Sequence, residues 1–242
     1  MTTLRSLLFW VVVVLTIVPW TLAVLLMATL RSHRAGWWTA VSWFRVVTIS
    51  ARWICGVRVQ VRGVEHLRDV DAAVLLSKHQ SAFETMLLPT LVPHPLAYVF
   101  KRELLRIPFF GWCMASLDMI HIDRSSRAQA MKEVLTQGQR LLSEGIWVIL
   151  FPEGTRIPRG QSGTYQSAGA RLAVQAGVPV LPVAVTSARC WPSESWRLQP
   201  GIVDVVFGAP MTNVDSEPRE LMRAVEQWIE ATMRELDSSA YC

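Results

Sequence analysis

Residues Ser6 to Leu30 read SLLFWVVVVLTIVPWTLAVLLMATL, twenty-five positions without a formal charge, and no other stretch restricts the fold as strongly. As a helix it runs roughly 37 Å, enough to cross a hydrocarbon core of about 30 Å. Arg5 and Arg31 bracket it. The run is too long for the apolar region of a signal peptide, and no small-x-small cleavage pattern follows, so it reads as a retained segment. Pro19 removes one backbone hydrogen bond and is a natural kink point. A second stretch, Trp37 to Ile54, carries Trp37, Trp38, Trp43 and Trp53 but also Arg45 and Arg52. Tryptophans suit a membrane interface, whereas arginines in mid-segment disfavour a second full crossing. Residues 1–56 are therefore expected to form a two-helix membrane anchor, its second helix lying in or dipping into one leaflet. Basic residues flank the first run on both sides, so the positive-inside rule does not fix its orientation.

The formal charge of +5 comes from 21 Arg and 3 Lys set against 19 acidic residues. A basic excess points to anionic partners. No nucleic-acid motif accompanies it, so a lipid surface or a phosphorylated substrate is the better reading. Cys55, Cys113, Cys190 and Cys242 are scattered, with no CxxC pair, and the histidines form no HExxH pair. Neither a disulfide framework nor a metal site is expected.

From Val57 onward short apolar runs alternate with helical stretches. Strands are predicted at Val57–Val61, Ala73–Ser77, Ala97–Phe100, Met119–Ile122, Ile146–Phe151, Pro179–Val185 and Ile202–Phe207. Several are continuous apolar runs, the mark of strands covered on both faces. Helices are predicted at Ser81–Leu91, Arg127–Ser143, Ser167–Gln175 and Pro218–Leu236, the last with its charges facing out. The alternation predicts one α/β domain over residues 57–242, a mostly parallel or mixed central sheet flanked by helices.

Two clusters stand out as chemistry. Lys78-His79-Gln80-Ser81-Ala82-Phe83-Glu84 follows the buried run AAVLLS and opens a helix, which puts His79 at a strand's carboxyl end, where open α/β sheets bind ligands. Ser81 and Glu84 have the spacing of a helix capping box, and for Glu84 alone that structural role would be the favoured one. With His79 just outside the helix, however, a first-turn glutamate can reach Nδ1–H and leave Nε2 as a base. Such a pair lacks its own nucleophile and suits a substrate alcohol attacking an activated acyl group. The second cluster, Phe151-Pro152-Glu153-Gly154-Thr155-Arg156, also follows a predicted strand. Gly154 allows close backbone approach, and the planar fork of Arg156 matches phosphate oxygens. Glu153 is expected to bind a hydroxyl or to position Arg156. Taken alone, this cluster is equally an ordinary turn with a surface ion pair.

KHQSAFE paired with FPEGTR resembles the glycerolipid acyltransferases, and most closely the bacterial 1-acyl-glycerol-3-phosphate acyltransferase family. Its His-x4-Asp/Glu motif maps to His79 and Glu84, with Glu in place of the commoner Asp. A second block is similar to Phe100–Leu104 with Ile107–Gly111, a third to Phe151–Arg156 and a fourth to Val178–Ala184, in family order over about residues 70 to 186. One departure stands at Tyr165-Gln166-Ser167-Ala168-Gly169, where Gln166 replaces a lysine that many relatives carry.

The resemblance implies acyl transfer from acyl-CoA or acyl-carrier protein to the sn-2 hydroxyl of lysophosphatidate, without a cofactor or metal. It assigns His79 as general base and Glu84 as its orienter. Lys101, Arg156 and Arg124 become phosphate binders, with Glu153, Gly154 and Thr155 at the same phosphate-binding site and Gly154 and Thr155 shaping its loop. Oxyanion donors are expected among backbone N–H groups near the first motif or along the sheet's carboxyl edge. Glycerol 3-phosphate or another lysophospholipid is the alternative acceptor. Because acyl thioesters are cytosolic, the catalytic domain is expected on the cytoplasmic face of the inner membrane. A lipase-like hydrolase would need a G-x-S-x-G elbow, which the chain lacks; Gly160-Gln161-Ser162-Gly163 has the wrong spacing. A non-catalytic scaffold for phosphatidic lipids would use Lys101 and Arg156 but leave His79 idle.

Overall fold

The computed structural model describes residues 1–30, 33–123, 126–212 and 217–241. Two N-terminal helices, α1 (Thr2–Thr29) and α2 (His33–Cys55), precede an alternation of β1 (Val57–Arg62), β2 (Val74–Ser77), α3 (Phe83–Leu91), β3 (Leu96–Lys101), α4 (Phe110–Ser116), β4 (Ile120–Ile122), α5 (Arg127–Ser143), β5 (Trp147–Leu150), α6 (Ala168–Ala176), β6 (Val180–Val185), β7 (Gly201–Phe207) and α7 (Pro218–Leu236). The seven strands form one sheet in the order β1-β7-β6-β2-β5-β3-β4. Only the β6–β7 pair is antiparallel, so the sheet is mixed.

Burial along the strands explains their composition. Every residue of β2, β5 and β6 is buried, because helices cover both faces at the centre. Towards one edge, β1 and β7 alternate buried and more exposed positions. All seven predicted strands are present, with ends displaced by at most one residue. The register Val74↔Val148 and Val74↔Val180 lines up β5, β2 and β6 as parallel neighbours. With β3 beside β5, four successive strands aim their carboxyl ends the same way.

Helix ends follow local chemistry. Ser126 caps α5 by accepting the Gln129 N–H, and α6 stops at Gly177, whose φ of +66° suits a left-handed cap. Pro218 opens α7 at a position where no N–H is needed. Helix α4 and the 3-10 turn Arg102–Arg106 before it were not expected. The corner is tight: Phe109 takes φ +62°, and a Cβ on Gly111 would lie 2.2 Å from the Leu105 carbonyl oxygen.

Helices α1 and α2 pack against each other, Trp43 Nε1–H donating to Thr16 Oγ at 3.0 Å and Trp20 Nε1–H to Ser42 Oγ at 2.8 Å. The start of α1 also touches the sheet domain, where Trp10 Nε1–H donates to the Trp196 carbonyl at 2.9 Å. Phe9, Val13 and Val24 are buried, while Leu4, Leu7, Leu8, Val14, Leu15, Leu22 and Leu26 are exposed. By length and composition α1 is able to cross a membrane, and only 17% of its most apolar window is covered by protein. Helix α2 differs: Trp37, Val41, Val47, Ala51 and Cys55 are buried, whereas Trp53 is 78% exposed.

Candidate active site

His79 lies two residues beyond the end of β2, and Glu84 in the first turn of α3. His79 Nδ1 is 2.8 Å from Glu84 Oε1. A carboxylate can only accept, so Nδ1 carries the hydrogen and Nε2 is the basic nitrogen. The His79 side chain keeps 14% of its surface open. One ring face stacks on Phe151, centroids 3.9 Å apart and planes 17° from parallel. The imidazole is thus held by one hydrogen bond and one ring.

Glu84 is fully buried and saturated with donors. Besides His79, its Oε1 accepts the N–H groups of Gln80 and Ser81 at 2.7 Å each, and its Oε2 accepts the Ser187 hydroxyl. The helix-capping role and the histidine-orienting role therefore coexist in one carboxylate. The cap is not a strict capping box, since Ser81 Oγ accepts from Phe83 N–H at 3.1 Å, one residue short of the usual partner. Occupation of these N–H groups bears on the oxyanion. The amides of His79, Gln80 and Ser81 are all committed to carboxylates, so those nearest the first motif are not free to stabilise one.

The loop after β5 carries Glu153, Gly154, Thr155 and Arg156. Gly154 turns the chain at φ +69°, and a Cβ there would meet no atom within 4 Å, so backbone handedness rather than crowding calls for glycine. Thr155 and Arg156 are exposed. Glu153 is placed differently from Thr155 and Arg156. Its side chain points inward, its oxygens accepting from Lys78 Nζ at 2.6 Å, His79 N–H at 3.0 Å and Gly163 N–H at 3.3 Å, and it makes no ion pair with Arg156. Lys101, at the end of β3, is exposed. Among the described residues neither Lys101 nor Arg156 has an ion pair, so both cations face solvent at the carboxyl edge that also carries His79. Arg124 lies outside the described residues. Gln166 is exposed, and its N–H donates to the Pro152 carbonyl at 2.8 Å.

Beneath His79 is an ionic cluster that residue patterns did not reveal. Lys78 is completely buried and donates to Glu153 Oε1 at 2.6 Å, Glu230 Oε1 at 2.8 Å and the Gln161 carbonyl at 3.1 Å. Three donors meet three acceptors, which is what a buried ammonium requires. Glu230 belongs to α7, whose charges were expected to face outward; this one is 5% exposed. It also accepts from Ser162 Oγ at 2.5 Å and the Tyr165 hydroxyl at 2.8 Å. Burial pushes the Glu153 carboxyl up against the pull of Lys78. Burial pushes Glu230 the same way, but bonds from Lys78, Ser162 and Tyr165 hold it below the usual range. Burial, helped by the two glutamates, keeps Tyr165 a phenol.

Ser187 was not foreseen either, although a signal existed. It follows β6, next to β2 in the sheet, and strand carboxyl ends are where an α/β sheet builds its site. The loops beyond β6, β2 and β5 supply Ser187, His79 and Arg156, and the end of β3 supplies Lys101.

The acyltransferase family model matches residues 58–186, which span all four of these strand ends. The chain belongs to the acyltransferase family. It is 40% identical over 237 residues to the 1-acyl-sn-glycerol-3-phosphate acyltransferase of Pseudomonas aeruginosa, covering 96% of this chain and 91% of that one. A mouse relative, 1-acyl-sn-glycerol-3-phosphate acyltransferase alpha, is 30% identical over 73% of this chain and 63% of its own length. The crystal structure of the 1-acyl-sn-glycerophosphate acyltransferase of Thermotoga maritima superposes with a TM-score of 0.79 at 26% identity, covering 98% of this chain and 96% of that one. This acyltransferase fold therefore includes the two N-terminal helices as well as the sheet.

Proposed function

We propose that this acyltransferase moves an acyl group from acyl-CoA or acyl-carrier protein to the sn-2 hydroxyl of 1-acyl-glycerol 3-phosphate, making phosphatidate. The observation that carries the reading is the His79–Glu84 pair, 2.8 Å apart, at the edge where Lys101 and Arg156 have no ion pair among the described residues. The names of the Pseudomonas and Thermotoga relatives support the same acceptor.

In this mechanism Lys101 and Arg156 hold the acceptor's phosphate and bring its hydroxyl to His79 Nε2. The hydroxyl proton passes to Nε2 as oxygen bonds to the thioester carbon. Glu84 stabilises the imidazolium that results. Collapse of the tetrahedral intermediate breaks the carbon–sulfur bond, and the thiolate leaves with the proton from His79. The acyl group is already activated, so the enzyme needs only proton transfer, orientation and charge stabilisation. Glu153 acts by holding the His79 backbone, while Gly154 and Thr155 shape the turn that presents Arg156.

Residues 1–56 serve as the anchor in this reading. The exposed leucines of α1 suit lipid, and Trp53 on α2 suits the interface. The sheet domain then lies on the cytoplasmic face, where acyl thioesters are made.

Purified protein mixed with acyl-CoA, with and without lysophosphatidate, tests the reaction through free thiol release. Release that depends on lysophosphatidate supports it. Release without acceptor identifies a thioesterase, and no release in either case sinks the reading. His79→Ala is expected to lower acceptor-dependent release by roughly 10²- to 10⁴-fold.

A further inference from the structure

We infer that Lys78 and Glu230 are positioning residues, which through Glu153 set the spacing between the His79 base and the Arg156 loop. This rests on the function proposed above.

The main chain of His79 is gripped on both sides by the loop that carries Arg156. Its N–H donates to Glu153 Oε2 at 3.0 Å, and its carbonyl accepts the Ile157 N–H at 2.8 Å. Base and phosphate binder therefore move as one body only while this loop keeps its shape. The shape is imposed from α7. Glu230 takes the hydroxyls of Ser162 and Tyr165, and the Lys78 ammonium ties Glu230, Glu153 and the Gln161 carbonyl together. Nearer Arg156, Arg159 forms a two-bond pair with Asp237 at 2.6 Å, and a Cβ on Gly160 would fall 2.1 Å from the Ala240 carbonyl oxygen. The C-terminal segment thus acts as a backing plate for the phosphate loop.

Lys78 is the keystone because one cation holds two buried carboxylates. Neutralising it leaves like charges facing each other out of water, and neutralising Glu230 leaves Lys78 with Glu153 alone. Either change alters the seat of Glu153, hence the His79 amide and the reach of Arg156. A displacement of about 1 Å at a reacting centre can cost on the order of 10²-fold in rate.

A structural role alone lowers the amount of active enzyme and leaves its Michaelis constants unchanged. A positioning role changes the constant for lysophosphatidate, the acceptor whose phosphate Arg156 holds in the proposed mechanism. Full-length wild type, Glu230→Gln and Lys78→Met are compared with lysophosphatidate and acyl-CoA varied separately. Glu230→Gln is expected to raise the lysophosphatidate KM on the order of tenfold and lower kcat, with the acyl-CoA KM unchanged. Lys78→Met goes the same way and further. If both fold poorly, Tyr165→Phe removes a single donor from Glu230 and gives a smaller rise of the same kind. A lysophosphatidate KM within about twofold of wild type in the folded variants, or equal rises in both constants, overturns the inference, because the Arg156 loop would then keep its seat without the ionic cluster. Failure of the wild type to transfer at all is seen before any variant is compared, and ends the functional reading and this inference together.

Discussion

Glu84 and Arg156 stand beyond the carboxyl ends of adjacent strands, yet the fold treats their charges in opposite ways. Glu84 is fully buried and accepts from His79, Gln80, Ser81 and Ser187. Arg156 is exposed and, among the described residues, has no ion pair. A carboxylate whose lone pairs are filled by fixed donors cannot wander, so the imidazole it holds is oriented in advance. An exposed guanidinium keeps its water until a phosphate replaces it. In the proposed mechanism the protein completes the hydrogen bonding of its proton-transfer side and leaves the phosphate side to be completed by the acceptor.

That contrast predicts different kinetic signatures. Glu84→Gln keeps the shape but loses the charge opposite the imidazolium, so kcat should fall by about 10³-fold or more with little change in acceptor KM. Steady-state kinetics decide it; a loss confined to KM would place Glu84 on the binding side. Arg156→Ala and Lys101→Ala should each raise the lysophosphatidate KM roughly 10- to 100-fold, as expected for a charged hydrogen bond worth about 1.5–3 kcal/mol. Phosphate-free monoacylglycerol should be used no worse by these variants than by wild type, and a parallel loss on both acceptors would break the comparison. Ser187→Ala removes one of the donors to Glu84 and should cost about three- to tenfold in kcat, near the value of a single hydrogen bond. A loss matching that of Glu84→Gln would mean the hydroxyl does more than hold the carboxylate.

The parts of the fold that could be read in advance share a physical cause. Strands covered on both faces need unbroken apolar runs, so VLLS, WVIL and VLPVAV declared β2, β5 and β6 in the sequence itself. Helix α7 shows its apolar face through Leu221, Val225, Ile229 and Met233, which are all buried. Helix α4 has no such pattern. It is seven residues long, follows a left-handed Phe109 and packs by a close approach at Gly111, none of which leaves a periodic trace.

The site divides along the same line. His79 and Glu84 are five residues apart, and a strand–helix junction is enough to bring them together. Gly154 and Arg156 were visible for a similar reason, since a turn after a strand limits what such residues can do. Glu153 was visible as a residue but not as a partner of Lys78, from which it is separated by 75 positions. Glu230 looked like one more solvated helix charge until α7 was laid against β6 and the loop after β5.

The amino-acid sequence by itself determined which segments become strands, where the imidazole and its carboxylate meet, and that a long uncharged apolar run precedes them. These depend on periodicity and short-range geometry, which one chain segment carries alone. Only the tertiary structure decided that Lys78 would be sealed between Glu153 and Glu230, that Ser187 would reach Glu84, and that Lys101 and Arg156 would stay exposed. Whether a charge is buried or open depends on which distant element lands beside it, because its energy is set by surrounding dielectric and hydrogen-bond partners rather than by its neighbours in sequence.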